Sequence, residues 1–372
     1  MRRRKHTFIL AVVFLFSFVF FTNQYYYRIH NTLSYATRPL WDHADGPRNI
    51  VPHYYVDGMQ MDTRACRLHG WEQRTSIGVV QMLDAVLMSS ELDLLDTRLH
   101  ELDSIVDRFF IVESNATFTG LPKETYFANN RNRFAKFEDK IDYHFRDDAL
   151  PGYPLEHGKD AWDVEAGTRD FMTQHLRAYI DALPSWTQAL VVMADIDEIP
   201  SRHTLALLKA CDFGTAIHLL MRNYLYSFEW YIGMTSWRSS VHHFVRAESE
   251  SVATAPVYYR HSLATQTALA DAGWHCSYCF RSLSEYTEKM RGFSHADRIG
   301  GDERLLDEER IQAVICKGED IFGMLPEAYS YGDLLSQMSR SAVHIPGYIL
   351  ENTERFRFLL PGGCRQRADH DD

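Results

Sequence analysis

The chain has no internal repeat and no low-complexity tract, which excludes solenoids, propellers and other arrays that stack one small unit. It also lacks a basic surplus. Its 39 Lys and Arg face 50 Asp and Glu, for a formal net charge of −11. Four of those cations sit together at Arg2-Arg3-Arg4-Lys5, so the rest of the chain is more acidic still. That balance argues against a nucleic acid or an anionic lipid as the partner of the folded part. No linker divides the chain, and its 372 residues read as one large domain or two modest ones without a separating tether.

Charge is absent altogether from residues 7–27, and residues 8–21 are almost wholly apolar. As a helix this run would reach about 31 Å, near the thickness of a bilayer's hydrocarbon core. The basic cluster precedes it, which puts the amino end in the cytosol and the remainder in the lumen. Tyr25, Tyr26 and Tyr27 would form an aromatic belt at the far interface. No small-x-small cleavage site follows, which favours an uncleaved anchor over a cleaved signal peptide. The expected organisation is a cytosolic tail (1–6), a transmembrane signal anchor (7–27), a stem (28–75) and a lumenal domain (76–372).

All six cysteines, Cys66, Cys211, Cys276, Cys279, Cys316 and Cys364, lie beyond the apolar run. An even number in an oxidising lumen permits disulfides, but the pairing is not readable. Cys276 and Cys279 fall in a strand-like alternation, so their sulfurs are expected on opposite faces, in separate disulfides or as buried thiols. They lack a second pair at finger spacing for zinc. Asn115-Ala116-Thr117 is a glycosylation sequon.

Strand patterns at residues 79–88, 108–114, 141–145 and 190–194 alternate with helical spacing at 91–102, 123–134 and 162–183. This argues for a mostly parallel α/β sheet. Ser201 is a cap for a helix running to Cys211. Residues 216–225, 230–234 and 240–245 then read as consecutive strands, residues 274–280 alternate, and helices follow at 284–291 and 308–316. The second half is mixed.

The centre of the chain is Leu190-Val191-Val192-Met193-Ala194-Asp195-Ile196-Asp197-Glu198-Ile199-Pro200. A buried strand delivers three carboxylates to its carboxyl end, where open α/β sheets bind ligands, and Pro200 stops the ladder. If the backbone stays extended, Asp195 and Asp197 face one side. Two close carboxylates repel unless a cation or proton lies between them. Oxygen ligands suit Mg(II) or Mn(II) shared with substrate phosphates. The alternative is a solvated acidic turn. A haloacid-dehalogenase phosphatase also carries Asp-x-Asp after a strand, but Ile199-Pro200 and the missing downstream acidic pair disfavour it.

Leu92-Asp93-Leu94-Leu95-Asp96-Thr97-Arg98-Leu99-His100-Glu101-Leu102, Ile111-Val112-Glu113-Ser114-Asn115-Ala116-Thr117-Phe118-Thr119-Gly120, the acidic stretch, Arg222-Asn223-Tyr224-Leu225-Tyr226-Ser227-Phe228 and Gly273-Trp274-His275-Cys276-Ser277 occur in this order. Together they closely resemble glycosyltransferase family 17. The resemblance covers residues 84–361, and Leu359-Leu360-Pro361-Gly362-Gly363-Cys364 is closer to the fungal and plant branch.

The resemblance implies a GT-A-like fold and a single-pass type II Golgi membrane enzyme. The implied reaction moves N-acetylglucosamine from UDP-GlcNAc to a mannose of an N-linked glycan, β-1,4, with inversion and a divalent cation, Mn(II) ahead of Mg(II). A non-catalytic glycan-binding protein on the same fold is the other reading. Asp195, Asp197 and Glu198 are the expected metal ligands, with His275 and His295 completing the shell. Inversion needs a base, for which Asp271 is first choice and Asp297, Asp302 and Glu285 are rivals. Glu113 is expected on uracil or ribose, and Arg169 and Arg222 on the diphosphate. Trp230, Trp237 and Trp274 are candidates for stacking on sugar rings or, alternatively, for the core.

Overall fold

The computed structural model describes residues 2–41, 46–74, 79–147, 160–245, 257–325, 337–338 and 341–364. The central apolar run forms the strand Gln188–Met193, buried from Ala189 onward. A strand covered on both faces needs no polar alternation. It lies inside an eight-stranded sheet. On one side it pairs parallel with Val80–Met88, which pairs parallel with Arg108–Glu113 and so with Ile141–Phe145. On the other side it pairs antiparallel with Ser240–Val245, followed by Ala216–Leu219, Thr267–Leu269 and Asn49–Val51.

Alternate residues of the central strand face different helices. Leu190 and Val192 pack with Leu95, Leu99 and Leu102 of the helix Leu92–Leu102. Ala189, Val191 and Met193 pack with Met172, Leu176 and Ile180 of the helix Ala161–Ala182. That helix begins at a capping box between Asp160 and Asp163 and ends before Pro184, as its sequence expects. Ser201 caps Arg202–Ala210 by accepting from the Thr204 N–H.

A second sheet of five strands includes Glu198–Pro200, Gly273–Ser277, Met221–Leu225 and Trp230–Ser236. It starts where the acidic turn leaves the first sheet, and Glu198–Pro200 pairs antiparallel with Gly273–Ser277. A Cβ on Gly273, whose φ is +158°, would stand 2.2 Å from the Ile199 carbonyl oxygen. Glycine is therefore required for the two strands to meet.

Several expectations are corrected. The strand expected over residues 216–225 breaks at Leu220, and its second half crosses into the second sheet. Residues 123–134 are not one helix. A short helix, Tyr126–Asn129, precedes a 3-10 helix, Arg131–Lys140, whose buried Phe134 and Phe137 are spaced for three residues per turn. The strand around Cys276 ends at Ser277. Tyr278 turns left-handed at φ 55°, so Cys279 comes back to Cys276 and the two form a disulfide. The parity argument fails because the backbone does not stay extended. Cys66–Cys211 and Cys316–Cys364 are the other disulfides.

The stretch read as a stem carries ordered elements. Asn49–Val51 extends the main sheet, and Thr63–Leu68 is bonded through Cys66 to Cys211. The apolar amino-terminal run is helical but bent. Arg2–Gln24 and Tyr26–Trp41 meet at Tyr25, and Ile9–Gln24 stands at 74° to Tyr26–Thr37. Among the described residues no single helix is long and apolar enough to cross a membrane, whereas the bent pair passes by length and composition. The second helix is tied to the folded body, because Asn31 exchanges two hydrogen bonds of 2.7 Å with Leu325.

The acidic turn is set by Arg98, fully buried on Leu92–Leu102. Its guanidinium donates two bonds of 2.7 Å to Asp84 on the neighbouring strand. Its Nη1 donates to the carbonyls of Asp195 at 2.9 Å and Glu198 at 2.7 Å. Arg98→Leu would leave Asp84 buried without its cation and both carbonyls without a donor. It should lower unfolding stability by about 3–5 kcal/mol, read as a fall in the denaturation midpoint. Unchanged stability would contradict this role.

Candidate functional site

After Met193 the chain does not stay extended. The Glu198 N–H donates to the Asp195 carbonyl at 3.0 Å, closing a tight turn. Asp195 and Asp197 therefore acquire different neighbours. Asp195 accepts from Arg169 Nη2 at 3.1 Å and lies 3.6 Å from His261 Nε2. Asp197 lies 3.3 Å from Lys289 Nζ and 3.8 Å from His275 Nε2. Both line a cavity of about 280 Å³ at the carboxyl end of the central strand. That is just below the roughly 300–1,000 Å³ usual for small-molecule sites.

Burial pushes the Asp195 carboxyl up, but His261 and Arg169 outweigh it and hold the group below its usual range. Burial also opposes ionisation of Asp197, yet Lys289 and His275 hold it well below the carboxylate range. For Lys289 burial would pull the ammonium down, and Asp197 with Glu91 raises it instead. His275 follows the same logic and is raised by Asp197 against its own desolvation. Lys289 also bonds Glu91 at 3.0 Å, so one buried ammonium joins two carboxylates.

Glu198 is 3% exposed. It accepts from the Asp195 N–H at 3.2 Å and from Ser236 Oγ at 3.1 Å. Ligating atoms of Asp195, Glu198 and His261 lie within 4.8 Å of one another. This is close to the spread that bonds of about 2.1 Å to one ion allow. His261 Nε2 is buried and has no hydrogen-bond partner among the described residues, as expected of a ligand nitrogen. The residues present fit a divalent cation, and the nitrogen donor suits Mn(II) better than Mg(II).

Of the expected ligands, Asp195 and Glu198 fall in this cluster. Asp197 sits beside it, paired with both His275 and Lys289. His295 borders the cavity next to the Trp162 ring at 4.8 Å, outside the ligand cluster. Arg169 is 7% exposed, and its Nη1 is buried with no hydrogen-bond partner among the described residues. Such a guanidinium donor, on a residue that lines the cavity, is suited to a phosphate oxygen.

Other expected positions are placed elsewhere. Val112 and Ser114 border the cavity, but Glu113 points to the opposite face of its strand. There it accepts from the N–H groups of Phe127 and Ala128 and from Tyr143 Oη, so it holds a helix start rather than a nucleotide. Asp271 and Arg222 pair with each other at 2.7 and 2.8 Å and line a different cavity. Asp271 is thus not positioned to serve as base beside Asp195, and Arg222 is not at the acidic turn. Asp297 bonds Tyr27, Asp302 bonds Arg304, and Glu285 closes a capping box with Ser282. Trp237 packs against His218, and Trp230 belongs to a buried cluster.

Three residues escaped the sequence reading. His261 follows Tyr259, whose hydroxyl donates to the Ala194 carbonyl at 2.7 Å and pins the segment to the strand end. Lys289 is a lone cation near the buried face of Leu283–Gly292, a signal visible in the helix pattern. Glu288 borders the cavity and is held by the Tyr126 hydroxyl, while its Oε1 is buried with no hydrogen-bond partner among the described residues.

Comparison with known proteins agrees with the resemblance read from the motifs. A family model described as glycosyltransferase family 17 matches residues 2–367. The "Beta-1,4-mannosyl-glycoprotein 4-beta-N-acetylglucosaminyltransferase" of Homo sapiens is 30% identical over 307 residues, covering 75% of this chain and 55% of that protein. The protein of the same name from Rattus norvegicus is 29% identical over 313 residues, covering 77% and 55%. The chain thus spans about half the length of these curated relatives. Among solved structures, the UDP complex of glucosyl-3-phosphoglycerate synthase from Mycobacterium tuberculosis has a TM-score of 0.23 and 13% identity. That likeness covers 46% of this chain and 52% of the other, and no weight rests on it. On the match along nearly its whole length, this chain belongs to glycosyltransferase family 17.

Proposed function

We propose that the chain transfers N-acetylglucosamine from UDP-GlcNAc to a mannose of an N-linked glycan, with β-1,4 linkage and inversion, on a GT-A-like fold. One observation carries the reading. Asp195, one member of the Asp195–Glu198–His261 cluster, lines a cavity together with the buried Lys289 ammonium and with Arg169, whose Nη1 has no hydrogen-bond partner among the described residues. A cation site beside two fixed positive groups matches a nucleotide diphosphate. The names of the curated relatives supply the sugar and acceptor of the proposal.

Asp195, Glu198 and His261 would hold the divalent cation, Mn(II) in preference to Mg(II). Bound there, it would offset the negative charge that develops on the departing diphosphate. Arg169 and Lys289 bind and orient the diphosphate oxygens from two separate helices. Glu288 replaces Asp271 as the base. Its Oε1 takes the acceptor hydroxyl proton as the new C1–O bond forms and the bond from C1 to the phosphate oxygen breaks. Tyr126 keeps the other carboxylate oxygen occupied and so orients the group. The bent amino-terminal helices are proposed as the anchor of a type II protein with its catalytic body in the Golgi lumen.

Asp195→Asn should reduce metal-dependent release of UDP from UDP-GlcNAc by about 10²–10³-fold, the usual effect of losing a group that stabilises developing charge. Unimpaired release would sink the cation site, and release of inorganic phosphate from sugar phosphates instead would point to a phosphatase. Glu288→Gln should lower transfer to a glycan acceptor by about 10²–10⁴-fold while UDP binding is retained. Full transfer by this variant would place the base elsewhere.

A further inference from the structure

The strand Gly273–Ser277 separates two cavities. His275 and Ser277 border the acidic one. Trp274 borders a larger cavity of about 650 Å³, and no residue lines both. We propose that this second cavity is a binding site for a neutral oligosaccharide, built from Tyr55, His203, Trp274, Asp271, Arg222 and His53. It stands apart from the transfer reaction and takes no support from it.

The hydrogen-bonding groups specify the ligand. His53 Nδ1 lies 3.1 Å from the Asp271 carbonyl oxygen. A carbonyl only accepts, so Nδ1 carries the proton and Nε2 keeps its lone pair. Nε2 is buried with no hydrogen-bond partner among the described residues. Burial pushes this imidazole below its usual range, so it is neutral and stays an acceptor at neutral pH. The site therefore wants a donor from its ligand. Arg222 is already neutralised by its two-pronged contact with Asp271, and Arg202, at the rim, by Glu101 at 3.2 Å. A phosphate or carboxylate would meet acceptors and compensated cations. A polyol supplies O–H donors for Nε2 and Asp271 and oxygens for Arg222.

The apolar part of the site fits a sugar ring as well. Tyr55 stacks on His203 with centroids 3.8 Å apart and planes 6° from parallel. Tyr55 is 40% exposed, so its outer face is open to the C–H face of a sugar. The Trp274 indole is fixed by its Nε1–H, which donates to the His344 carbonyl at 2.7 Å. Asp271 and His344 both have left-handed backbones, at φ 48° and 62°. Two such non-glycine residues on one cavity mark a place where a shape is held against local preference.

The test uses the full chain in detergent, titrated calorimetrically with a neutral mannose- and N-acetylglucosamine-containing oligosaccharide, with inorganic phosphate as the comparison probe. The oligosaccharide should bind, Tyr55→Ala should weaken it about tenfold through loss of the ring contact, and saturation should protect Tyr55 of the unaltered chain from hydroxyl-radical labelling. Labelling of the unaltered chain keeps the result independent of any folding defect in the variant. No binding, equal affinity in Tyr55→Ala, or protection of Tyr55 by phosphate would each overturn the proposal.

Discussion

A buried guanidinium organises this molecule. Arg98 has no solvent to pair with, so its donors are answered by the Asp84 carboxylate and two carbonyls of the acidic turn. Asp84 sits on the strand beside the central one, and Arg98 comes from the helix that covers one face. The pair joins helix, sheet and turn at a single point. With those carbonyls turned to Arg98, the carboxylates of Asp195 and Asp197 face the cavity. From there the charge pairs spread outward, with Arg169 arriving from one helix and Lys289 from another. The three carboxylates crowd together only because these cations and the surrounding N–H and O–H donors share the electrostatic load.

This arrangement gives the turn a dual character. Arg169 and Lys289 balance Asp195 and Asp197 directly. The same two cations line the cavity, where a ligand's phosphates would compete for them. In the proposed reaction, a cation held by Asp195, Glu198 and His261 would take over the balancing role at the turn. On the proposed function, binding of nucleotide and ion would be coupled through the same few side chains, a consequence of building the site from buried charge.

Features written in local pattern were legible from the residues. The apolar run of the central strand, the helix before Pro184 and the Ser201 cap each follow from a short window. The Asp195–Glu198 signal was legible for the same reason, since a hydrophobic strand followed by acids is a local event. What escaped depends on distant placement or on parity. Glu113 lies one residue off the cavity-facing register, and a shift of one reverses the face. Cys276 and Cys279 pair because Tyr278 turns left-handed, which alternation does not anticipate. His261 and Lys289 join the site through tertiary packing. Asp271 carries the chemistry of a base but belongs to the other side of the strand Gly273–Ser277, where it is matched to Arg222.

That strand divides the labour of the second sheet, with its alternate side chains serving two cavities of different chemistry. One is rich in charge and suited to an anion with its cation. The other offers aromatic faces, compensated ions and an unprotonated imidazole nitrogen. The most direct measurement of the central claim is anomalous diffraction from crystals soaked with Mn(II) and UDP. The account predicts a manganese peak bounded by Asp195, Glu198 and His261, with diphosphate density against Arg169 Nη1. Nucleotide density beside Asp271 and Arg222, with no peak at the acidic turn, would contradict it.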